Sequence, residues 1–230
     1  MDIFRSILTP LCELCGCQSP KLLCSGCQND LPLNHSACSI CALPIDVDTE
    51  KKDHTECPAC VVRPKPYLKS VCAYPYVHPV DQLIRRFKQH VPQSILPMCG
   101  DALLHAVNRA YRDTPLPECL LPVPQHWRRF LQRGFQPTRL IAEYLGSALE
   151  IPVAVNSIRS SRLTRQKTLR RSARLRSLQG AFELTQPALP ARVALVDDVI
   201  TTGATAETLT YLLLESGVTE VHVWGLARTP

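Results

Sequence analysis

The chain of 230 residues has no apolar run approaching the ~20 residues that a helix needs to cross a bilayer. Its opening, MDIFRSILTP, has neither a basic leader nor a long apolar core, so no secretory signal is read there. No segment matches G-x-x-x-x-G-K or G-x-G-x-x-G, which removes the Walker A loop and the dinucleotide fingerprint. Apart from paired cysteines there is no internal repeat, and there is no low-complexity tract. One further absence is local. From Ile151 to Phe182 there is no Asp or Glu, while Arg159, Arg162, Arg165, Lys167, Arg170, Arg171, Arg174 and Arg176 fall inside that span. The net charge is only +6, so its concentration here matters more than its size. A block of this kind suits phosphates or nucleic acid, and equally a solvated face without a partner.

Hydrophobic residues make up 45% of the chain, enough for a packed core. Twelve cysteines would suggest disulfides in a secreted domain. Without a leader or a span, the expected compartment is instead the reducing cytoplasm, with no membrane insertion. There, paired cysteines more often hold metal.

Eight cysteines form four C-x-x-C pairs: Cys12/Cys15, Cys24/Cys27, Cys38/Cys41 and Cys57/Cys60. Their segment has few large apolar residues at helical spacing, and a region so small needs a staple. Zinc takes four thiolates in a tetrahedron, and each C-x-x-C knuckle supplies two. Four knuckles therefore predict up to two structural zinc sites, one from Cys12, Cys15, Cys24 and Cys27, the other from Cys38, Cys41, Cys57 and Cys60. A cross-braced pairing satisfies the same spacing. Iron–sulfur clusters also use four cysteines, though ribbon-like spacing favours zinc. Redox C-x-x-C chemistry ordinarily uses one motif, not four. Cys17 is an adjacent spare, and Cys72, Cys99 and Cys119 lie in apolar segments that suit a core.

The connector VVRPKPYLKS follows, and its prolines break helix. The expected division is a double zinc ribbon over 1–66 and an α/β domain over 67–230. SVCAYPY reads as a strand or hairpin. PVDQLIRRFKQH reads as a helix, with Leu83, Ile84 and Phe87 on one face. ALLHAVNRAYR and TRLIAEYLGSAL are amphipathic helices, the second using Leu140, Ile141, Tyr144, Leu145 and Ala148. ECLLPVP is a short buried strand ending in a turn, and RVALVDDV is another buried strand. TAETLTYLLLES is a helix capped by Gly217, and EVHVWGLA is a last strand. Strands alternating with helices predict a mostly parallel sheet flanked by helices.

The segment VALVDDVITTGAT, Val193 to Thr205, runs from strand through turn to helix, the arrangement that binds phosphate at free backbone N–H groups. Gly203 lets the backbone approach closely, and Thr201, Thr202 and Thr205 add hydroxyls. Asp197 and Asp198 would repel a phosphate but suit sugar hydroxyls or a hydrated magnesium. Together these parts describe a site for a phosphorylated sugar. An ordinary N-capped strand–turn–helix would need only one polar residue, not this set.

This segment resembles the phosphoribosyl-pyrophosphate (PRPP) motif of type I phosphoribosyltransferases. Over nearly the whole chain, the order of the C-x-x-C pairs, LIRRFK, LPVPQHWRRFLQRGF, RLTRQKTLRRSARLRSLQGAF and the PRPP motif resembles the ComF/GntX family of competence-related proteins. The resemblance implies a type I phosphoribosyltransferase-like domain behind the small zinc-ribbon module. It implies that Thr201, Thr202, Gly203, Ala204 and Thr205 bind the ribose 5-phosphate. Asp197 and Asp198 would contact the ribose hydroxyls, and magnesium would accompany PRPP. The turn Pro122 to Pro124 would stand where the enzymes have their pyrophosphate loop. Arg128, Arg129 and Arg133 after it would meet pyrophosphate or a nucleic-acid backbone. The segment holding Arg162, Arg165, Arg170 and Arg171 would correspond to the loop that covers the enzymes' site. The family ordinarily continues R-G-F with Asn-Gln, where this chain has Gln136 and Pro137, and often has Asn at Ser177.

The implied function is the handling of incoming single-stranded DNA in natural transformation, with a DNA-uptake protein as a partner. Trp127, Phe130 and Phe135 lie among arginines, which suits base stacking, although core packing suits Phe135 better. The alternative is an active phosphoribosyltransferase using PRPP and an unknown acceptor, because no base-recognition segment is visible. A purely structural adaptor would leave the PRPP motif unexplained.

Overall fold

The computed structural model describes residues 10–45, 56–89, 95–125, 127–160, 182–185 and 188–230. Its centre is a four-stranded sheet made of β1 (Lys69–Pro75), β2 (Cys119–Pro122), β5 (Arg192–Ile200) and β6 (Glu220–Arg228). The spatial order is β1-β6-β5-β2 and every pair is parallel. SVCAYPY is thus a single edge strand and makes no hairpin. Beyond β2, a parallel bridge joins Leu120 to Val153. The strands read as continuous apolar runs because helices cover both faces.

On one face lie α3 (Val80–Gln89), α4 (Ile95–Ala110) and α6 (Pro137–Leu149). Their buried stripes, including Leu83, Phe87, Leu103, Val107, Ile141 and Leu145, pack on Ala194, Val196, Trp224 and Leu226. On the other face α7 (Ala204–Glu215) sets Leu209 and Leu213 against Val193, Leu195, Val221 and Val223. Each such fully buried Leu contributes about 2 kcal/mol. The stripe of α6 is rotated from the expected one: Ala148 is exposed, and Ala142 and Gly146 are buried in its place. Gly146 is required there, since a Cβ would lie 2.6 Å from Val153 Cγ2 and 2.7 Å from the Ile151 carbonyl.

Five short elements have no counterpart in the sequence reading. A short helix α5 (Trp127–Arg133) follows the Pro122–Pro124 turn. Strands β3 (Ile158–Ser160) and β4 (Phe182–Leu184) pair antiparallel, and Ile158, Phe182 and Leu184 pack on the α7 face. Finally, α1 (Ser25–Asn29) and α2 (Pro58–Val62) are each capped by the first cysteine of a knuckle, Cys24 and Cys57, and contain the second, Cys27 and Cys60.

The cysteine-rich segment is sewn to the sheet. Leu23 and Leu31 join the core around Tyr74 and Leu103. The Asn34 N–H donates to the Ala73 carbonyl at 2.8 Å, covering the open edge of β1. No helix among the described residues is long and apolar enough to cross a membrane.

Candidate functional site at the sheet switch point

From β1 and β2 the chain crosses over the α3/α4/α6 face. From β5 it crosses over the α7 face. After β2 it moves outward to the Val153 bridge, and after β5 it moves inward to β6. The direction of winding therefore reverses between β2 and β5. Open α/β sheets bind ligands in the crevice at the carboxyl ends of such strands. The VDD end of β5 and the PVP turn of β2 meet at this point. Pro122 stands in register with Val196, and the Val123 N–H donates to the Val196 carbonyl at 2.9 Å.

The turn is braced from α6. The Thr138 hydroxyl donates to the Val123 carbonyl at 2.8 Å, and Gln136 Nε2 donates to the same carbonyl at 3.1 Å and to Thr138 Oγ1 at 3.0 Å. Gln136 is one of the departures from the family pattern, and here it holds the turn.

The two carboxylates point to opposite faces of β5. Strand alternation sends Asp198 to the face of Ala194 and Val196, and Asp197 to the face of Val193 and Leu195. Asp198 is buried and forms an ion pair with Lys88 of α3, Nζ to Oδ1, at 2.8 Å. Asp197 is half-buried and accepts the Asp198 N–H at 2.8 Å. Burial, with the Asp198 charge second, pushes its carboxyl up to about 7.

The loop after β5 turns at Gly203, whose φ of 77° is left-handed and suits glycine. Gly203 caps α7 without a side-chain hydrogen bond, and Thr202 Oγ1 accepts the Ala204 N–H at 3.3 Å. Thr201 and Thr202 are exposed. Backbone N–H groups at such a helix start suit an anion. One turn into α7, the buried Glu207 accepts from Lys65 and, at 3.3 Å, from Arg63. Tyr67 lies under the turn, its hydroxyl 3.3 Å from where a Gly203 Cβ would stand.

Arg128 and Arg129 are exposed on α5 and Arg133 is half-exposed. Phe130 is 47% exposed on the same helix, and Phe135 is half-buried. Arg162, Arg165, Arg170 and Arg171 lie outside the described residues, as do Gln166 and Ser177; the Trp127 side chain is also not described. Away from the switch point, a cleft of about 870 Å³ opens between α4 and the first cysteine knuckles, lined by Lys21, His35, Met98, His105 and Arg109 among others.

Cys38, Cys41, Cys57 and Cys60 converge with all four sulfurs within 4.8 Å of one another, all buried, as the knuckle spacing predicts. The Cys57 N–H donates to Cys38 Sγ at 3.3 Å. Burial raises the Cys38 thiol, but the Cys41 and Cys57 amides outweigh it and leave the thiol below its ordinary value. The other cluster gathers the expected Cys12, Cys15, Cys24 and Cys27, with Cys17 drawn in beside them. Its mutually close sulfurs are Cys12, Cys15, Cys17 and Cys24, because Cys17 folds back to 3.3 Å from Cys15. Cys17 therefore lies within reach of the same centre. Cys27 stands beside this set, its N–H donating to Cys24 Sγ at 3.4 Å and its thiol hydrogen-bonded to Cys15 and Cys24. The amides of Cys15 and Cys24 pull the Cys12 thiol down to about 6. Convergent sulfurs with amide donors on them fit a soft tetrahedral cation. Both clusters could hold a metal ion.

Lys88, Glu207, Tyr67 and Arg228 at this site were not singled out in the sequence. Lys88 had one signal: it follows Ile84 by four residues and so shares its buried face. The others come together only through the parallel crossovers.

No protein-family model matches the chain. It is 34% identical over 212 residues to Competence protein F of Haemophilus influenzae, covering 90% of each chain. It is 32% identical over 227 residues to DNA utilization protein YhgH of Escherichia coli K12, covering 95% of this chain and 97% of that one. Among solved structures it is similar to adenine phosphoribosyltransferase from Saccharomyces cerevisiae, at 18% identity and TM-score 0.38, over 59% of this chain and 69% of that one. Purine phosphoribosyltransferase from Pyrococcus horikoshii gives 18% and 0.36, over 58% and 82%. Identity above 30% along nine-tenths or more of both chains means that this chain belongs to the ComF family, with Competence protein F and DNA utilization protein YhgH.

Proposed function

We propose that this protein handles single-stranded DNA taken up in natural transformation, and that the crevice between β2 and β5 binds ribose phosphate, either as PRPP or as part of the DNA backbone. The observation that carries the reading is the meeting of two acids, an anion-type loop and the PVP turn at the switch point. The names of the relatives point the same way: one is a competence protein and the other a DNA utilization protein.

In this reading Thr201 to Thr205 take the phosphate, and Asp197 takes a ribose hydroxyl or magnesium. Asp198 holds Lys88 in place to face the pyrophosphate side. Arg128, Arg129 and Arg133 carry phosphates along α5, and Arg162, Arg165, Arg170 and Arg171 add to that track. Phe130 offers a stacking face. Zinc in the two cysteine clusters is structural, the division near residue 66 separates ribbons from pocket, and the site of action is the cytoplasm beside a DNA-uptake partner.

The second reading is turnover of PRPP. It is favoured by the pairing of Asp197 with an open anion loop, since magnesium and basic groups do most of the work in such transfers. The acceptor is unassigned.

Competition decides between sites. PRPP with magnesium is expected to displace labelled single-stranded DNA from the full chain. Changing Arg162, Arg165, Arg170 and Arg171 to Ala is expected to weaken DNA binding and flatten its salt dependence. DNA affinity that ignored both PRPP and these changes at physiological salt would sink the reading.

A further inference from the structure

Arg228 is the last residue of β6, in register with Ile200 of β5. Its guanidinium spans two parts of the chain. Nε donates to the Cys41 carbonyl at 3.0 Å. Nη1 donates to the Ile200 carbonyl at 3.3 Å and to the Thr201 carbonyl. Cys41 is a member of the second cysteine cluster, and Thr201 begins the anion-type loop. One half-buried side chain thus joins a metal-ligating knuckle to the loop.

The same knuckle and the chain after it support the loop from other sides. Ala42, next to Cys41, is buried with Tyr67 and Leu209 in the core under α7. The Ala42 carbonyl accepts from Asn34 Nδ2 at 2.9 Å. After Cys60, Arg63 and Lys65 reach Glu207 in the first turn of α7, and Tyr67 lies beneath Gly203. Among the described residues, no such contact joins the first cluster to Arg228 or to the Thr201–Thr205 loop. Cys15 and Cys17 are exposed, and that knuckle meets the core through Leu23 and Leu31 and meets α3 through the ion pair of Glu13 with Arg86.

We propose that Arg228 is a positioning residue through which the Cys38/Cys41/Cys57/Cys60 centre holds the Thr201–Thr205 loop in its ligand-ready form, so that metal occupancy of this one cluster sets the affinity of the loop. Four thiolates this close repel one another unless a cation compensates their charge, and metal-site backbones loosen without it. Losing the cation releases the Cys41 carbonyl. Arg228 then loses one of its fixed acceptors, and its other donors no longer hold Thr201 in register. Emptying the first cluster leaves these contacts in place. The affinity half of the proposal rests on the ribose-phosphate reading; the coupling half does not.

The test uses the full chain with both clusters loaded with zinc. Hydrogen exchange is read on the peptide covering residues 200–208, and ribose 5-phosphate is the titrated probe. A chelator should strip the exposed first cluster first, without changing exchange at 200–208. Loss of the second zinc should then raise that exchange. Arg228→Met should keep both zincs and the parent circular dichroism, yet show the raised exchange, with ribose 5-phosphate affinity down about tenfold, as for a lost charged hydrogen bond. Arg228→Lys, with one ammonium for two directions, should recover part of both. Parent-like exchange at 200–208 in Arg228→Met, or after removal of the second zinc, would overturn the proposal. If the parent chain does not bind ribose 5-phosphate, the ribose-phosphate reading fails, and the exchange data still decide the coupling.

Discussion

Lys88 Nζ stands 2.8 Å from Asp198 Oδ1, tying the last turn of α3 to the carboxyl end of β5. The contact assigns separate duties to two neighbouring acids. Asp198 is ion-paired within the protein, whereas the Asp197 carboxylate accepts the Asp198 amide. It also brings a cation from α3 to the switch point.

Lys88→Met leaves Asp198 buried without its cation. The pair is partly exposed, so the expected loss is about 1–2 kcal/mol, less than for a fully buried pair. Adding Asp198→Asn should recover part of it. Urea unfolding of the two single variants and the double variant measures the coupling; additive losses would mean that the pair contributes nothing.

The Asp197 carboxyl moves from 3.8 to about 7 on folding, so between those values the folded chain holds a proton that the unfolded chain has released. Its contribution to stability is therefore lost as pH rises through about 7. Asp197→Asn should raise the melting temperature of the ligand-free protein at pH 8, by an amount of order 1–3 kcal/mol in stability, and should change it little near pH 4. The same variant should lose any melting shift given by PRPP with magnesium. In the parent that shift should be larger at pH 8 than at pH 6, because in the proposed reading the ionised carboxylate receives the ligand.

At the opposite end of the sheet, Trp224 Nε1 donates to the Tyr111 hydroxyl at 3.1 Å, and that hydroxyl is hydrogen-bonded to His222 Nδ1 at 2.8 Å. Burial, with Lys69 and Arg192 adding to it, lowers His222 from 6.5 to about 4. Here the unfolded chain takes the proton first. Stability from neutral His222 is complete above about 6.5 and is lost as pH falls toward 4, the reverse of Asp197. Tyr111→Phe strands both neighbours and should cost about 1–3 kcal/mol by urea unfolding at pH 7.

Five thiols crowd the four positions of the first cluster. Elemental analysis should give two zincs per chain for the parent. Cys17→Ser and Cys27→Ser should each keep two, since the other thiol stands close enough to replace the missing one. The double variant should fall to one, as should Cys24→Ser. Loss of a zinc from Cys27→Ser alone would show that Cys17 is no substitute ligand.

Local pattern made much of this protein legible. The apolar runs Val193–Val196 and Val221–Leu226 fixed two buried strands, because parallel strands covered on both faces need no polar alternation. The stripe Leu83, Ile84 and Phe87 fixed α3, and the knuckle spacing fixed the second cluster, since two residues between cysteines close a chelate by themselves. VDDVITTGAT marked the loop, because its chemistry lies within one short turn. What the sequence determined was therefore whatever depends on neighbours along the chain.

Only the tertiary structure decided the rest. Strand alternation was readable, but which face held Lys88 was not, and that alone separates Asp197 from Asp198. Cys17 entered a cluster because the knuckle folds back on Cys15, a contact that C-x-x-C counting ignores. Arg228 gave no signal at all: it is one arginine at the end of the last strand. It lies next to Cys41 and Thr201 because β6 inserts between β1 and β5, bringing residues 187 and 27 positions apart onto one side chain. Pairings of that kind depend on the order of strands in the sheet, which no local periodicity records.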